Sequence, residues 1–359
     1  MRPAWDALWR RADGNHAQAS ATCLSAWRHI AARRGGRLHV LACFEDGALV
    51  AIWPLVRRRQ AAWHVLTQLG PLAAEFSDML VEDYPGRDAR VAAIWRCVRT
   101  RSRADLIMLP FVKSATPLGV LLAASDLART TEPDVAPYVA WRKRDGWEQY
   151  YGTLGASGRK VQNKKRRQLQ GLGELRFEVV RDPQRLPALV QWLMQEKRVW
   201  AGRAGKHGPW LSSSPYEQFL VHLTTERNVG AGFMFLLTLD GEPVAGQFAM
   251  EGERHIDWII AGFSAAMAGY SPGMVLNEYC LRYARDHALR VEMGAGREHN
   301  KLFWSRATTH ETVNYRVALT RFGILGLRLS NAKVAAVGWV KSRLRRLRGQ
   351  SNSKASHRA

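Results

Sequence analysis

The sequence predicts an α/β protein made of two copies of one unit, and three observations carry that prediction. The first is a pair of matching hairpins. Residues 39–55, HVLACFEDGALVAIWPL, and 233–250, FMFLLTLDGEPVAGQFAM, each place Asp-Gly between apolar runs and follow it with two residues and Val-Ala. Asp-Gly between strand-like segments marks a tight turn, because glycine takes a positive φ at no steric cost. The second is a shared order of elements downstream of the two hairpins. In the first half a strand over 76–83 meets Pro85-Gly86, a helix over 87–100 and a strand over 104–111. In the second half a strand over 254–263 meets Pro272-Gly273, a helix over 274–288 and a strand over 289–296. The third is spacing: Asp105 lies 19 residues beyond Gly86, and Glu292 lies 19 beyond Gly273. Shared order and spacing favour a repeat over chance turns. Single cores stop growing near roughly 250–300 residues, so the 359 residues are expected to form domains over 1–145 and 146–320, followed by a basic helix and disordered tail over 321–359.

Composition narrows the partners. At 47% apolar residues the chain has ample material for packed cores. Its formal charge of +22 attracts anions: nucleic acid, phosphorylated small molecules or a negatively charged membrane surface. The last 39 residues hold ten Lys or Arg and no acid. Cys23, Cys43, Cys97 and Cys280 lack C-x-x-C spacing and have no histidine pair beside them. They predict neither zinc site nor disulfide framework, and read as buried free thiols of a cytosolic protein with no metal. The first residues, MRPAWDALWRRAD, lack the apolar core of a signal peptide, and no run approaches the roughly 20 apolar residues of a membrane span. A cytoplasmic location is the expectation.

The second Pro-Gly turn is the chemically suggestive one. Apolar residues at Met274, Val275, Tyr279, Cys280, Tyr283 and Ala284 repeat at helical spacing after GYSPG, so the helix packs on a sheet. Strand, loop, helix and strand make a parallel crossover, with the loop at the carboxyl end of its strand, where open α/β sheets hold ligands. Pro272 fits the first helical turn, and Gly273 lets backbone approach a ligand. Two readings stand: Ser271 is an N-cap, or the unpaired amides and helix dipole hold an anion.

Context adds Asp257 in the strand before, Glu292 in the strand after, and GAGREHNKLFWS over 294–305. This ordered series of apolar strand, Ser-Pro-Gly, helix, acidic strand, Gly-x-Gly-x-Glu and Lys resembles the C-terminal half of GNAT-type acetyltransferases of the CelD/BcsL group. These are bacterial proteins linked with exopolysaccharide and cellulose synthesis and related to the FemAB peptidyltransferases. DGALVAIWPLVRRR (46–59), EFSDMLVED (75–83) and LGASGRKVQNKKRRQLQGLGELRFEVV (154–180) extend the resemblance over most of the chain. Two positions depart from the pattern: Glu292 stands for the usual Asp, and Asn300 for the usual Tyr.

The resemblance implies tandem GNAT-like (acyl-CoA N-acyltransferase) domains with mixed central sheets flanked by helices, the N-terminal one degenerate. It implies acetyl-CoA or another acyl-CoA as co-substrate, its pyrophosphate on Tyr270, Ser271, Pro272, Gly273 and Met274, and its pantetheine between the strands of Asp257 and Glu292. The acyl group would pass directly to an amine or hydroxyl of a sugar or polysaccharide-related acceptor. Such transfer needs held reactants, a deprotonated acceptor and a stabilised oxyanion, but no covalent nucleophile. Asp257 and Glu292 are the candidate bases, against the plainer reading of strand acids paired with Lys or Arg. Glu298, Asn300, Lys301 and Trp200 are candidate acceptor contacts, against a solvated helix start and a structural loop over 196–210. Tyr270 shields the ligand or fills a core.

Two basic segments stay open in meaning. RKVQNKKRRQ (159–168) spreads six basic residues over nine positions around a helix, which reads as a solvated face or as an anion contact. The tail pairs Val334, Val337, Val340 and Leu344 with dense Arg, and either lies on anionic membrane or docks on the body. The alternatives to acyl-CoA transfer are a FemAB-like aminoacyl-tRNA-dependent peptidyltransferase, and a non-enzymatic binding protein on a degenerate transferase fold. No extended heptad pattern of a FemAB-type arm and no RNP-like aromatic pattern is present, so nucleic acid ranks below the coenzyme as partner.

Overall fold

A computed structural model describes residues 1–330 apart from 71–75, 126, 127, 131, 142–145, 206, 207, 209, 210 and 212. In the first half, α1 (Arg2–Arg11) and α2 (Ser20–Ala26) precede antiparallel strands β1 (Arg37–Glu45), β2 (Ala48–Gln60) and β3 (Trp63–Gln68). Short β4 (Leu80–Val81) also joins β2, and α3 (Arg87–Arg101) crosses to β5 (Leu106–Lys113), which runs parallel to β3. α4 (Pro117–Ala123), β6 (Ala128–Thr130) and β7 (Asp134–Val139) follow.

The second half repeats the plan. α5 (Trp147–Thr153) and α6 (Ala156–Gln170) lead to β8 (Leu175–Val180), α7 (Leu186–Arg203) and α8 (Ser214–Thr224). Antiparallel β9 (Gly232–Leu239), β10 (Glu242–Glu251) and β11 (His255–Phe263) come next. α9 (Pro272–Asp286) then crosses to β12 (Arg290–Glu292), parallel to β11, before α10 (His299–Ser305) and β13 (Thr309–Ala318). Both Asp-Gly turns are left-handed at both residues, Asp46 and Gly47 with φ 49° and 78°, Asp240 and Gly241 with φ 50° and 86°, as the twist of a tight hairpin demands.

All 13 described strands join one mixed sheet flanked by helices, ordered β1-β2-β3-β5-β13-β7-β12-β11-β10-β9-β8 with β4 on β2 and β6 on β13. The halves exchange their last strands. β7, from the first half, pairs with β12, while β13, from the second, pairs with β5; the two exchanged strands also pair with each other. One core cluster spans both halves as well, with Leu8, Trp9 and Ile52 packed among Val190, Leu193, Phe219 and Phe248.

Four expectations need correction. The strand over 76–83 shrinks to two residues, and β3 takes the place beside β5. The 13-residue β2 offers one edge to two strands in succession, Leu55–Gln60 to β3 and Ala51–Ile52 to β4. The helix over 159–168 is only partly solvated. Lys160, Lys164 and Arg167 are exposed, but Gln162 is buried and donates to the Met274 carbonyl at 3.2 Å and to Glu278 Oε2 at 2.9 Å. Trp200 sits on α7, which runs on to Arg203, rather than in a loop. Of the cysteines, Cys23 and Cys280 are buried, while Cys43 and Cys97 are half-buried; burial pushes the Cys280 thiol well up. The tail positions Val334, Val337, Val340 and Leu344 lie outside the described residues.

Candidate functional site

The site begins where β11 and β12 part. They pair over three positions, ending at Asp257 opposite Glu292. Beyond that, the Met293 and Gly296 amides donate to the Pro137 and Val135 carbonyls at 3.0 and 2.8 Å, so the chain follows β7 and leaves β11. β11 also bulges at Ile259, since Trp258 pairs with Ala249 and Ile260 with Phe248. Bulges re-aim side chains and end pairing beside many active sites. The result is a cavity of about 780 Å3 bordered by α7, α9, β10, β11 and the 293–301 turn.

This cavity brings together Trp200, Glu298, Asn300 and Lys301, four residues singled out by sequence. The Lys197 ammonium lies 4.4 Å from the Trp200 ring centroid. Lys301 Nζ donates to the Ala295 carbonyl at 2.9 Å and sits 3.2 Å from Glu298 Oε2. Glu298 is the one carboxylate among the lining residues. Two buried polar atoms of the lining, Trp258 Nε1 and Asn300 Oδ1, have no hydrogen-bond partner. Such groups are uncommon and costly in folded proteins, and a ligand bearing an acceptor and a donor resolves both.

The Ser-Pro-Gly turn forms the start of α9 beside this cavity but does not line it; Asn277, one turn along, does. Ser271 is left-handed at φ 56°, and its side chain makes no capping bond. The first turn of α9 carries no acid, whereas Lys165 Nζ reaches the Gly269 carbonyl at 2.7 Å and an Arg203 nitrogen the Ala265 carbonyl at 3.2 Å. A Cβ at Gly273 meets only Phe263, at 3.5 Å. The helix start is therefore roomy, with Lys165 and Arg203 beside it and Glu196 Oε2 accepting from the Ala265 amide at 2.7 Å, and its N-terminal amides and dipole favour an anion. Tyr270 packs, half-buried, against the core around α9, which fits its space-filling reading.

Asp257 and Glu292 do not reach the cavity. Ile256 and Trp258 belong to the core under α9, so the strand's twofold alternation turns Asp257 to the opposite face. There Asp257 Oδ2 accepts from the His16 amide at 2.7 Å and lies 3.3 Å from His255 Nε2, whose other ring nitrogen is 3.2 Å from Asp13. Burial opposes the charge of Asp257, but His255 and His16 outweigh it and hold the carboxyl well below the usual range. The His255 imidazole, lowered by burial and raised more by Asp257 and Asp13, ends at about 9. Glu292 sits 3.3 Å from Lys113 Nζ, 2.8 Å from Arg290 Nε and 3.4 Å from His310 Nε2. Burial raises it, His310 and Lys113 pull it lower, and it settles at about 2. Both acids serve as buried counter-ions binding the two halves together, an arrangement unsuited to accepting a proton near neutrality.

Comparison with known proteins bears on the fold. Residues 156–302 match the family of the acetyltransferase (GNAT) domain. No curated protein matches the sequence. Among solved structures, FemX is 12% identical over 88% of this chain and 95% of its own, with a TM-score of 0.59. The C-terminal domain of a putative lysylphosphatidylglycerol synthetase from Agrobacterium fabrum is 15% identical over 93% of this chain and 95% of its own, with a TM-score of 0.54. At these identities the likeness is one of fold, and it runs through both halves, well beyond the matched GNAT domain.

Sequence reasoning missed Lys197, Gln247, Trp258 and Asn277 of the cavity. Trp258 had a readable signal, because Ile256 and Trp258 alternate with Asp257 along one strand. Gln247 and Asn277 had none, since each is a single polar residue in an otherwise apolar pattern.

Proposed function

We propose that this protein is an acyl-CoA-dependent acyltransferase that passes an acyl group to an amine or hydroxyl of a sugar or polysaccharide-related acceptor. The observation that carries the reading is the cavity at the parting of β11 and β12, beside an acid-free helix start, within the matched GNAT domain. The start of α9 suits the diphosphate of the coenzyme, and the gap between strands suits its extended arm. The acceptor side combines the Trp200 and Trp258 rings with Gln247, Asn277 and Asn300, flat apolar faces and directional polar groups of the kind a sugar ring requires. The acceptor heteroatom attacks the thioester carbonyl carbon, the carbon–sulfur bond breaks, and the thiolate leaves. Glu298, the lining carboxylate, takes the acceptor proton, and the Trp258 indole N–H is a free donor for the developing oxyanion. Residues 1–145 and 146–320 act as two lobes, with the chemistry in the second.

Isothermal titration with acetyl-CoA, CoA and aminoacyl-tRNA tests the donor. Coenzyme binding that weakens in Gly273→Asp supports the reading; no coenzyme binding at about 1 mM together with tight tRNA binding overturns it. That second donor is favoured by the net charge of +22, which suits a polyanion. Location follows from the same charge. Among the described residues no helix is long and apolar enough to cross a membrane. The helical residues 321–330 expose Phe322, Leu325 and Leu329 beside Arg321 and Arg328, a surface suited to peripheral contact with anionic lipid from the cytoplasmic side.

A further inference from the structure

We propose that the first half holds a second ligand site, in the cavity of about 500 Å3 where β3 and β5 part, built for a ligand with an anionic phosphate head, an apolar body and a hydrogen-bond acceptor at its inner end. The site stands apart from the acyl-transfer cavity and does not depend on how that cavity is read.

The opening has a structural cause. β3 and β5 stay paired up to Thr67 opposite Met108. Beyond that point the Pro110 carbonyl accepts from the Ser77 amide at 3.1 Å, and Phe111 takes a left-handed φ of 49°. The Phe111 amide donates to the Asn314 side chain at 2.9 Å, and the register of β13 against β5 shifts across Asn314. A bulky residue at positive φ is an outlier that the surroundings must hold in place. Here two neighbouring strands break step together, and the space between them stays open.

The inner end of this space is polar and unsatisfied. Gln68 is 9% exposed and Ser77 0% exposed, and both line it. Gln68 Oε1 accepts from Trp53 Nε1 at 2.8 Å, which orients the amide and leaves Nε2 as a donor without partner; Ser77 Oγ also has none. A ligand oxygen at this end answers both groups. Val56, Met108 and Phe111 form the apolar wall.

The mouth is cationic. Arg34, Arg58 and Arg316 line it, and neither Arg34 nor Arg58 forms an ion pair among the described residues. Burial, with the like charge of Arg34 close by, pulls the Arg58 guanidinium below its ordinary value. Two guanidinium groups with no carboxylate partner among the described residues match a phosphate, which accepts from both forks.

The test is calorimetry on the full-length protein with four probes: uridine monophosphate, octyl phosphate, inorganic phosphate and octyl glucoside. The first two carry the head and a body, and differ in whether a carbonyl-bearing ring or an alkyl chain fills the interior, so they separate a nucleotide-like source from a lipid-like one. Binding of either, weakened at least about tenfold in Arg34→Ala and Arg58→Ala and unchanged in Lys301→Ala, supports the site. Arg34 is exposed, so Arg34→Ala carries the test should Arg58→Ala fail to fold. No binding of either phosphate ester at about 1 mM, binding indifferent to both arginines, or equal loss in Lys301→Ala overturns the proposal.

Discussion

The first turn of α3 carries an acid, and that of α9 carries none. Asp88 lies in the first turn of α3, Asp83 pairs with Arg87 at 2.7 Å, and Glu82 pairs with Arg11 at 2.8 Å. The corresponding turn of α9 has no acid and is flanked by Lys165 and Arg203. Both helices present a positive dipole end, but the first already carries a carboxylate in its first turn and the second does not. The last strand pair before each opening differs in the same spirit. Thr67 and Met108 line a cavity, whereas Asp257 and Glu292 are sealed among His16, His255, Lys113 and Arg290. The same order of elements occurs twice, and the side chains around each opening differ in charge.

The largest effect is expected from separating the halves. Because β13 completes the first half and β7 the second, fragments 1–145 and 146–359 expressed alone should show no cooperative unfolding, and co-expression should restore it. A cooperative transition in 1–145 by itself would show that the exchanged strand is dispensable. Next comes the charge contrast itself. Gly273→Asp gives α9 the acid that α3 already has, with room for the side chain, and should weaken donor binding about thirtyfold, roughly 2 kcal/mol. Asp88→Asn at the other helix should leave it unchanged. Equal effects from both would erase the distinction drawn between the two turns.

The buried ion pairs make a pH prediction of similar size. Glu292 falls to about 2 in the fold from an unfolded value near 4.3, so its contribution of about 3 kcal/mol is present above that value and lost as pH falls toward 2. His255 rises to about 9 from roughly 6.5. Its contribution is therefore full below pH of about 6.5 and lost as pH rises through about 9. Urea titrations across pH should show a plateau between these limits, with Glu292→Gln reducing the acid limb, which Asp257 shares, and His255→Asn flattening the alkaline one. Limbs unchanged by these substitutions would place the pH dependence elsewhere.

How much of this was legible depended on how local the signal was. The hairpins, α3, α9 and the crossover order follow from turn chemistry and periodicity within short windows, and the sequence states them openly. The exchange of β7 and β13 does not, because strand partners are chosen by pairing between residues more than 100 positions apart, which no window contains. The same limit explains Asp257 and Glu292. An acid in a strand next to a glycine turn suggests chemistry, yet its role is set by His16 and Lys113, contributed by the other half of the chain. Trp200, Glu298, Asn300 and Lys301 are named from the resemblance and from the mixed composition of 196–210, and the fold brings all four to one cavity. β3 escaped notice since its residues, WHVLTQ, are short and follow β2 with only a two-residue break.

One position compares the cavities directly. Gln68 and Trp258 each follow the last residue of their strand's parallel pairing, Thr67 and Asp257, and each lines an opening and carries a buried N–H without partner. If the parallel pair is built to present a donor at that point, the donor matters more than the bulk around it. Trp258→Phe keeps an aromatic face while removing the N–H and part of the ring, and it should lower kcat/KM about tenfold, the worth of one well-placed hydrogen bond. A fall in kcat at constant KM assigns the indole to the oxyanion, because only the transition state then gains from it; a rise in KM alone assigns it to holding the ligand. An unchanged kcat/KM would mean that the indole is packing, and that the likeness between the two positions is one of geometry without function.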